Sequence, residues 1–174
     1  NKIENVGFDT VRSDNSRFTK TFQAKILSMV LEKEGKIKIK GYIKDKVNKF
    51  NNGEYDLEYI GIPSAMKMHA NEYKANRPVL RATNYSNKYF NTNFKKGDKP
   101  KIIWIKDVKN KMPLTDVIAF DNGREVPDGF IIDYEAMIEK GINKKVGRIL
   151  QACGWDEKEM LCQQKETSLE QYFK

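Results

Sequence analysis

The chain of 174 residues holds one histidine, two cysteines and five prolines. Its apolar residues never gather into a long run. Cys153 and Cys162 stand too far apart for a CxxC pair, and His69 is the sole imidazole. That scarcity argues against a zinc site and against a Cys–His nucleophile. Reduced thiols are the default for so few cysteines. No stretch reaches the roughly 20 apolar residues that span a bilayer, and no signal-peptide pattern opens the chain. The expectation is a cytoplasmic protein without a membrane partner. Catalytic signatures are missing as well: no GxxxxGK loop, no GxSxG elbow, no HExxH helix and no Asp-x-Asp set in an apolar strand. Metal-assisted nucleotidyl transfer needs converging carboxylates, and the acidic residues here sit mostly among lysines in helical or loop contexts. By this reading the chain performs no chemistry of its own.

What is abundant is positive charge. Lys and Arg number 32 against 24 Asp and Glu, a net charge of +8, which suggests a polyanionic partner such as DNA, RNA or an acidic membrane surface. A hydrophobic content of 39% with 11% aromatics argues for a packed core rather than disorder. The length suits one domain or two small subdomains.

Apolar residues at Phe18, Phe22, Ile26, Met29 and Val30 recur at helical spacing, and Asp14 is the expected N-cap of that helix. A second helical face follows at Ile39, Ile43, Val47 and Phe50, stopped by Asn51-Asn52-Gly53. YDLEYIGIP is a short apolar segment, and residues 64–73 are expected to form a short helix. Pro78 opens another helix, running to about Phe90. KIIWIKDV and VIAF are strand candidates. Asp133 caps a long helical segment that Gly141 and Gly147 weaken, with a break expected near Ile142 and a stop at Gly154. The expected fold class is mainly α with a small β insert (α+β).

Two stretches concentrate candidate binding residues. In the opening turn, Arg12, Ser13, Asp14 and Arg17 stand at the mouth of the first helix, and no acid follows Asp14 at the capping-box position. Further on, a projection at about 100° per residue places Arg77, Arg81, Asn84 and Lys88 in one narrow sector. Lys74 and Asn76 lead into that helix, whose N-terminal amides also favour phosphate. Such a stripe can contact a nucleic-acid backbone without reading bases; it can equally be a solvated face. At the C-terminus, ETSLEQYFK gathers Leu169, Tyr172 and Phe173 into an apolar-aromatic plug suited to a partner groove.

Taken in order, GFDTVRSDNSRFTKTFQAKIL, YDLEYIGIP, NEYKANRPVLRATNYSN, PKIIWIKDV and IDYEAMIEKGINKKVGRILQACGW resemble the C-terminal thumb region of family B DNA polymerases, with archaeal replicative enzymes the most similar. The resemblance covers essentially the whole chain. It implies a palm–thumb junction over residues 1–12, a thumb over 13–160 with short strands around 101–120, and a clamp-binding tail over 161–174. It places Arg12 and Asp14 beside the primer strand, with Ser13 where many members carry a second basic residue. Lys74 falls in the family's Tyr-Lys-Ala loop. SLEQYF is similar to a sliding-clamp-binding box, although Glu166 stands where that box usually has Gln. The implied partners are primer–template DNA, a chain or region bearing the palm, fingers and exonuclease, and a sliding clamp, with Mg²⁺ held by palm carboxylates outside these residues. The implied location is the cytoplasm, at the nucleoid. Because the family's catalytic carboxylates lie in the palm, outside these residues, the chain reads either as the small subunit of a split polymerase, the preferred expectation, or as a fragment of a continuous one, the reading that a start at Asn1 rather than Met favours. The rival expectation is a stand-alone basic module that binds nucleic acid or recruits a clamp.

Overall fold

A computed structural model describes residues 12–161. It is an α+β fold: helices at both ends of the described residues enclose a small antiparallel sheet. Helix α1 (Arg17–Leu31) and helix α2 (Lys36–Asn51) form a hairpin, and both bury the faces that their periodicity marks. Phe18, Phe22 and Ile26 from α1 meet Ile39, Ile43 and Phe50 from α2 in the main core. The rings of Phe18, Phe22, Phe50, Tyr42, Tyr55, Tyr59 and Tyr134 form a connected aromatic set there. Burial, with Tyr55 and Tyr59 close by, pushes the Tyr42 hydroxyl up to about 12.

The cap of α1 differs from expectation. Ser16, not Asp14, is the N-cap: its hydroxyl accepts from the Thr19 amide at 3.1 Å. Asp14 lies two residues too early to reach the orphan amides, and its carboxylate instead accepts from two of the three guanidinium nitrogens of Arg12.

Helix α3 (Leu57–Ile60) fills the YDLEYI segment and leads into strand β1 (Ile62–Pro63). Gly61 sits between them where a Cβ would lie 2.9 Å from Lys101 Cβ and 3.0 Å from the Leu57 carbonyl, so glycine is required by space. The helix expected over residues 64–73 does not form. Ser64 and Met66 donate their amides to Pro100 and Asp98, extending the sheet, and only a single 3₁₀ turn (Ala70–Glu72) remains. Long-range pairing outcompetes weak local helicity here.

Helix α4 (Pro78–Tyr89) packs on strand β3 (Val117–Phe120), which pairs with the central strand β2 (Lys101–Val108). Strand β1 and the short β4 (Phe130–Ile132) pair with successive parts of β2. Alternation on β2 and β3 divides two cores, as a period of two requires. Ile103, Ile105, Ile118 and Phe120 join the main core. Ile102, Val117 and Ala119 face α4 in a second, smaller one with Met66, Ala82 and Phe94. Ser86 of α4 accepts the Ala119 amide at 2.9 Å, satisfying a donor of β3 with a side chain.

The last helical segment is interrupted where expected. Helix α5 (Tyr134–Ile138), capped by Asp133, passes through a π turn (Glu139–Asn143) into helix α6 (Lys144–Ala152). Two carbonyls around this irregular turn are taken up by buried polar residues of α1: Thr19 donates to Gly141 O at 3.2 Å and Gln23 to Lys145 O at 3.1 Å. Gly154, with φ of +72°, follows the helix as its left-handed stop. A final short helix, α7 (Glu157–Met160), closes the described chain, with Lys36 and Lys40 of α2 both paired to Glu159. Helices α3 and α7 and strand β4 carry no periodic signal long enough to be read from sequence.

Candidate nucleic-acid interface

The opening turn and the start of α4 converge on one open groove of about 930 Å³. Arg12, Ser13 and Asp14 line one part of it, and Arg77, Pro78 and Val79 another. Lys67, Lys99 and Lys140, from three further segments, complete a basic rim. The floor is apolar, with Ile62, Pro63, Ile102 and Trp104 among its residues. Lys140 Nζ stands 4.6 Å from the centre of the Trp104 ring, within cation–π range.

The turn is held from behind. Arg12 donates Nε and Nη2 to the two oxygens of Asp14 at 3.0 and 3.1 Å. Lys145 of α6 lies 3.9 Å from Asp14 and hydrogen-bonds the side chain of Asn15. Asn15 in turn donates to Gln23 at 3.2 Å, and both are buried. Desolvation pushes the Asp14 carboxyl up, but the Arg12 hydrogen bond, the charges of Lys145 and Arg12 and a backbone amide outweigh it and hold the carboxyl below the usual aspartate range. The turn therefore presents Arg12 from a fixed base rather than as a loose side chain.

The expected stripe on α4 is divided. Arg77, the N-cap residue, is exposed and opens into the groove. Arg81 is not among the residues that line the groove: its guanidinium, 6.0 Å from the centre of the Trp104 ring, takes Asp116 in a two-point pair at 3.1 and 2.7 Å and the Asn76 carbonyl at 2.6 Å. It joins the start of α4 to the entrance of β3, a structural role that its sequence position concealed. Asn84 and Lys88 line a second cleft with Arg81, Leu114 and Asp116. Lys88 is exposed beside Tyr89, its Nζ 5.2 Å from the ring centre. Lys74 is exposed, and Asn76 contributes its carbonyl to Arg81. Arg17 is not with Arg12: it lies 6.0 Å from the Tyr59 ring centre in a separate hollow with Asp56, Glu58 and Arg124.

Sequence reasoning missed Lys67, Lys99, Lys140 and Trp104 in the groove and Lys145 behind it. The lysine-rich FKKGDKP loop was the visible signal for Lys99; the others depend on contacts distant in sequence. Leu169, Tyr172 and Phe173 lie outside the described residues. Among the described residues, no three His, Cys, Asp or Glu side chains gather as a metal site. The acids nearest this surface are already paired, Asp14 with Arg12 and Asp116 with Arg81, so these donors do not fit a catalytic Mg²⁺. No helix among the described residues is long and apolar enough to cross a membrane.

These features define an α+β domain with a basic groove where its first turn meets its third long helix. The family model for DNA polymerase family B matches residues 1–153, and the chain belongs to that family. DNA polymerase function, with DNA as substrate, follows from that membership at the level of the family. No curated protein matches the chain.

Proposed function

We propose that the chain is the thumb of a family B DNA polymerase, gripping primer–template duplex while nucleotidyl transfer takes place on palm carboxylates outside it. The observation that carries this reading is the shared groove. It brings Arg12, from the turn that the resemblance places beside the primer, into one groove with Arg77, from the helix that follows the Tyr-Lys-Ala loop. Rim cations neutralise phosphates and release counterions, so binding is sequence-independent and falls steeply with salt. The Asp14–Lys145 anchor fixes Arg12, and the Arg81–Asp116 brace fixes the start of α4. Both reduce the ordering cost of engaging a backbone.

Within this reading, Mg²⁺ serves the reaction at the palm, and no step on this chain runs through it. The C-terminal residues Leu169, Tyr172 and Phe173 dock on a sliding clamp, and tethering lengthens residence on DNA by raising effective concentration. The test is reconstitution: the chain mixed with a palm-bearing partner restores primer extension, and its Arg77→Ala variant restores less. Duplex binding without any restored extension supports instead a stand-alone binding module. Neither activity contradicts both readings.

A further inference from the structure

We infer that the groove holds an unpaired stretch of a DNA strand, with a base on the Trp104 floor and phosphates on the rim; this rests on the DNA-binding reading above. Phosphate contacts alone need no apolar floor. Yet Ile62, Pro63, Val79, Ile102 and Trp104 all open into the same cavity as Arg12, Lys67, Arg77, Lys99 and Lys140. An aromatic platform inside a basic channel is the pattern by which proteins take single strands, since every base has a π face.

Trp104 is fixed for that task. Its amide faces Met137 Sδ at 3.4 Å, its carbonyl accepts from the Asp133 amide at 2.9 Å, and its strand pairs with β3 at Val117. Trp104 is only half-buried; the Arg81 guanidinium, held by Asp116, lies 6.0 Å from its ring centre, and the exposed Lys140 rests nearer, with its ammonium at 4.6 Å. A base entering the groove takes the place of that ammonium on the ring, and the long lysine arm turns to the adjoining phosphate. Lys140 thus guards an apolar surface in the free protein and contributes charge in the bound one.

The chain has two tryptophans, so Trp155→Phe leaves Trp104 as the sole reporter. In that variant, short oligo-dT should quench the fluorescence, while an abasic strand of equal length should bind roughly tenfold more weakly and leave the signal unchanged. Trp104→Leu should lose a similar factor for oligo-dT. If that variant fails to fold, the comparison of oligo-dT with abasic strand decides alone. Equal binding of the two strands overturns the inference. Duplex binding with no response to oligo-dT overturns it and leaves the thumb reading standing, whereas no binding of either DNA removes both. Equal quenching by free deoxynucleotide at matched base concentration assigns the pocket to a mononucleotide and overturns the strand.

Discussion

The two hydrophobic cores share a sheet but serve different ends. The main core is thick: aromatic and aliphatic side chains from α1, α2, α5 and α6 pack on one face of β2 and β3. The second is thin, built from Met66, Ala82, Phe94, Ile102, Val117 and Ala119 on the other face. Three residues at its margin, Ile62, Val79 and Trp104, also line the basic groove, and of these Ile62 and Trp104 pack on the main core as well. Stability therefore resides mainly in the first, and the candidate interface grows out of the second. A surface built on a thin layer can adjust to a ligand without loosening the helical scaffold.

Breaking the thick core should have the largest effect. Phe22 is 2% exposed and packs between the rings of Phe18 and Tyr42, so Phe22→Ala should cost about 3–5 kcal/mol. Denaturant titration checks this, and all probes should report the same loss. In the thin core, Met66→Ala should cost about 2 kcal/mol, the low end for a buried methionine. Hydrogen exchange should show it opening the 64–77 loop while α1 and α2 stay protected. An equal loss of protection in α1 would erase the distinction between the two cores.

Smaller effects separate the cations of α4. Arg81→Ala should lower stability by about 1–2 kcal/mol, because its charged hydrogen bonds to Asp116 and Asn76 go unmade. Arg77→Ala should change stability by less than about 0.5 kcal/mol yet weaken duplex binding. Thermal melts beside binding isotherms read both. The opposite ranking would show that the stripe acts as one surface after all.

The smallest effect concerns the opening turn. The folded Asp14 carboxyl lies below its ordinary value of about 3.9. The stabilisation it adds is therefore fully present above about pH 4 and is lost as pH falls through the lower folded value. Arg12 and Asp14 are both about half exposed, so the contribution should stay under about 1 kcal/mol. Asp14→Asn should flatten the acid limb of stability by that amount, and a carboxyl NMR titration should find the depressed value in the parent.

The parts that sequence made legible are those with local causes. Helices α1 and α2 follow from residues three and four apart, and the interruption at the π turn follows from Gly141 within an apolar helical pattern. Strands β2 and β3 follow from their β-branched runs. The failed helix over 64–73 and the misplaced cap at Asp14 have different origins. Residues 98–100, distant in sequence, claim the amides of Ser64 and Met66, whereas Asp14 stands two residues before the true cap and gives its carboxylate to Arg12. The site divides the same way. Arg12 and Arg77 were visible as basic residues at helix starts, but no projection of one helix reveals that Asp116 captures Arg81 or that Lys67, Lys99 and Lys140 join Arg77.

The most direct test of the groove is the salt dependence of duplex binding. Each phosphate-contacting cation removed should reduce the slope of log K against log salt by about 1. Arg77→Ala with Lys99→Ala should reduce it by about 2, while an equal charge loss on α2, at Lys38 and Lys44, should leave it unchanged. An unchanged slope in the groove variant, or an equal drop in both, would contradict the assignment.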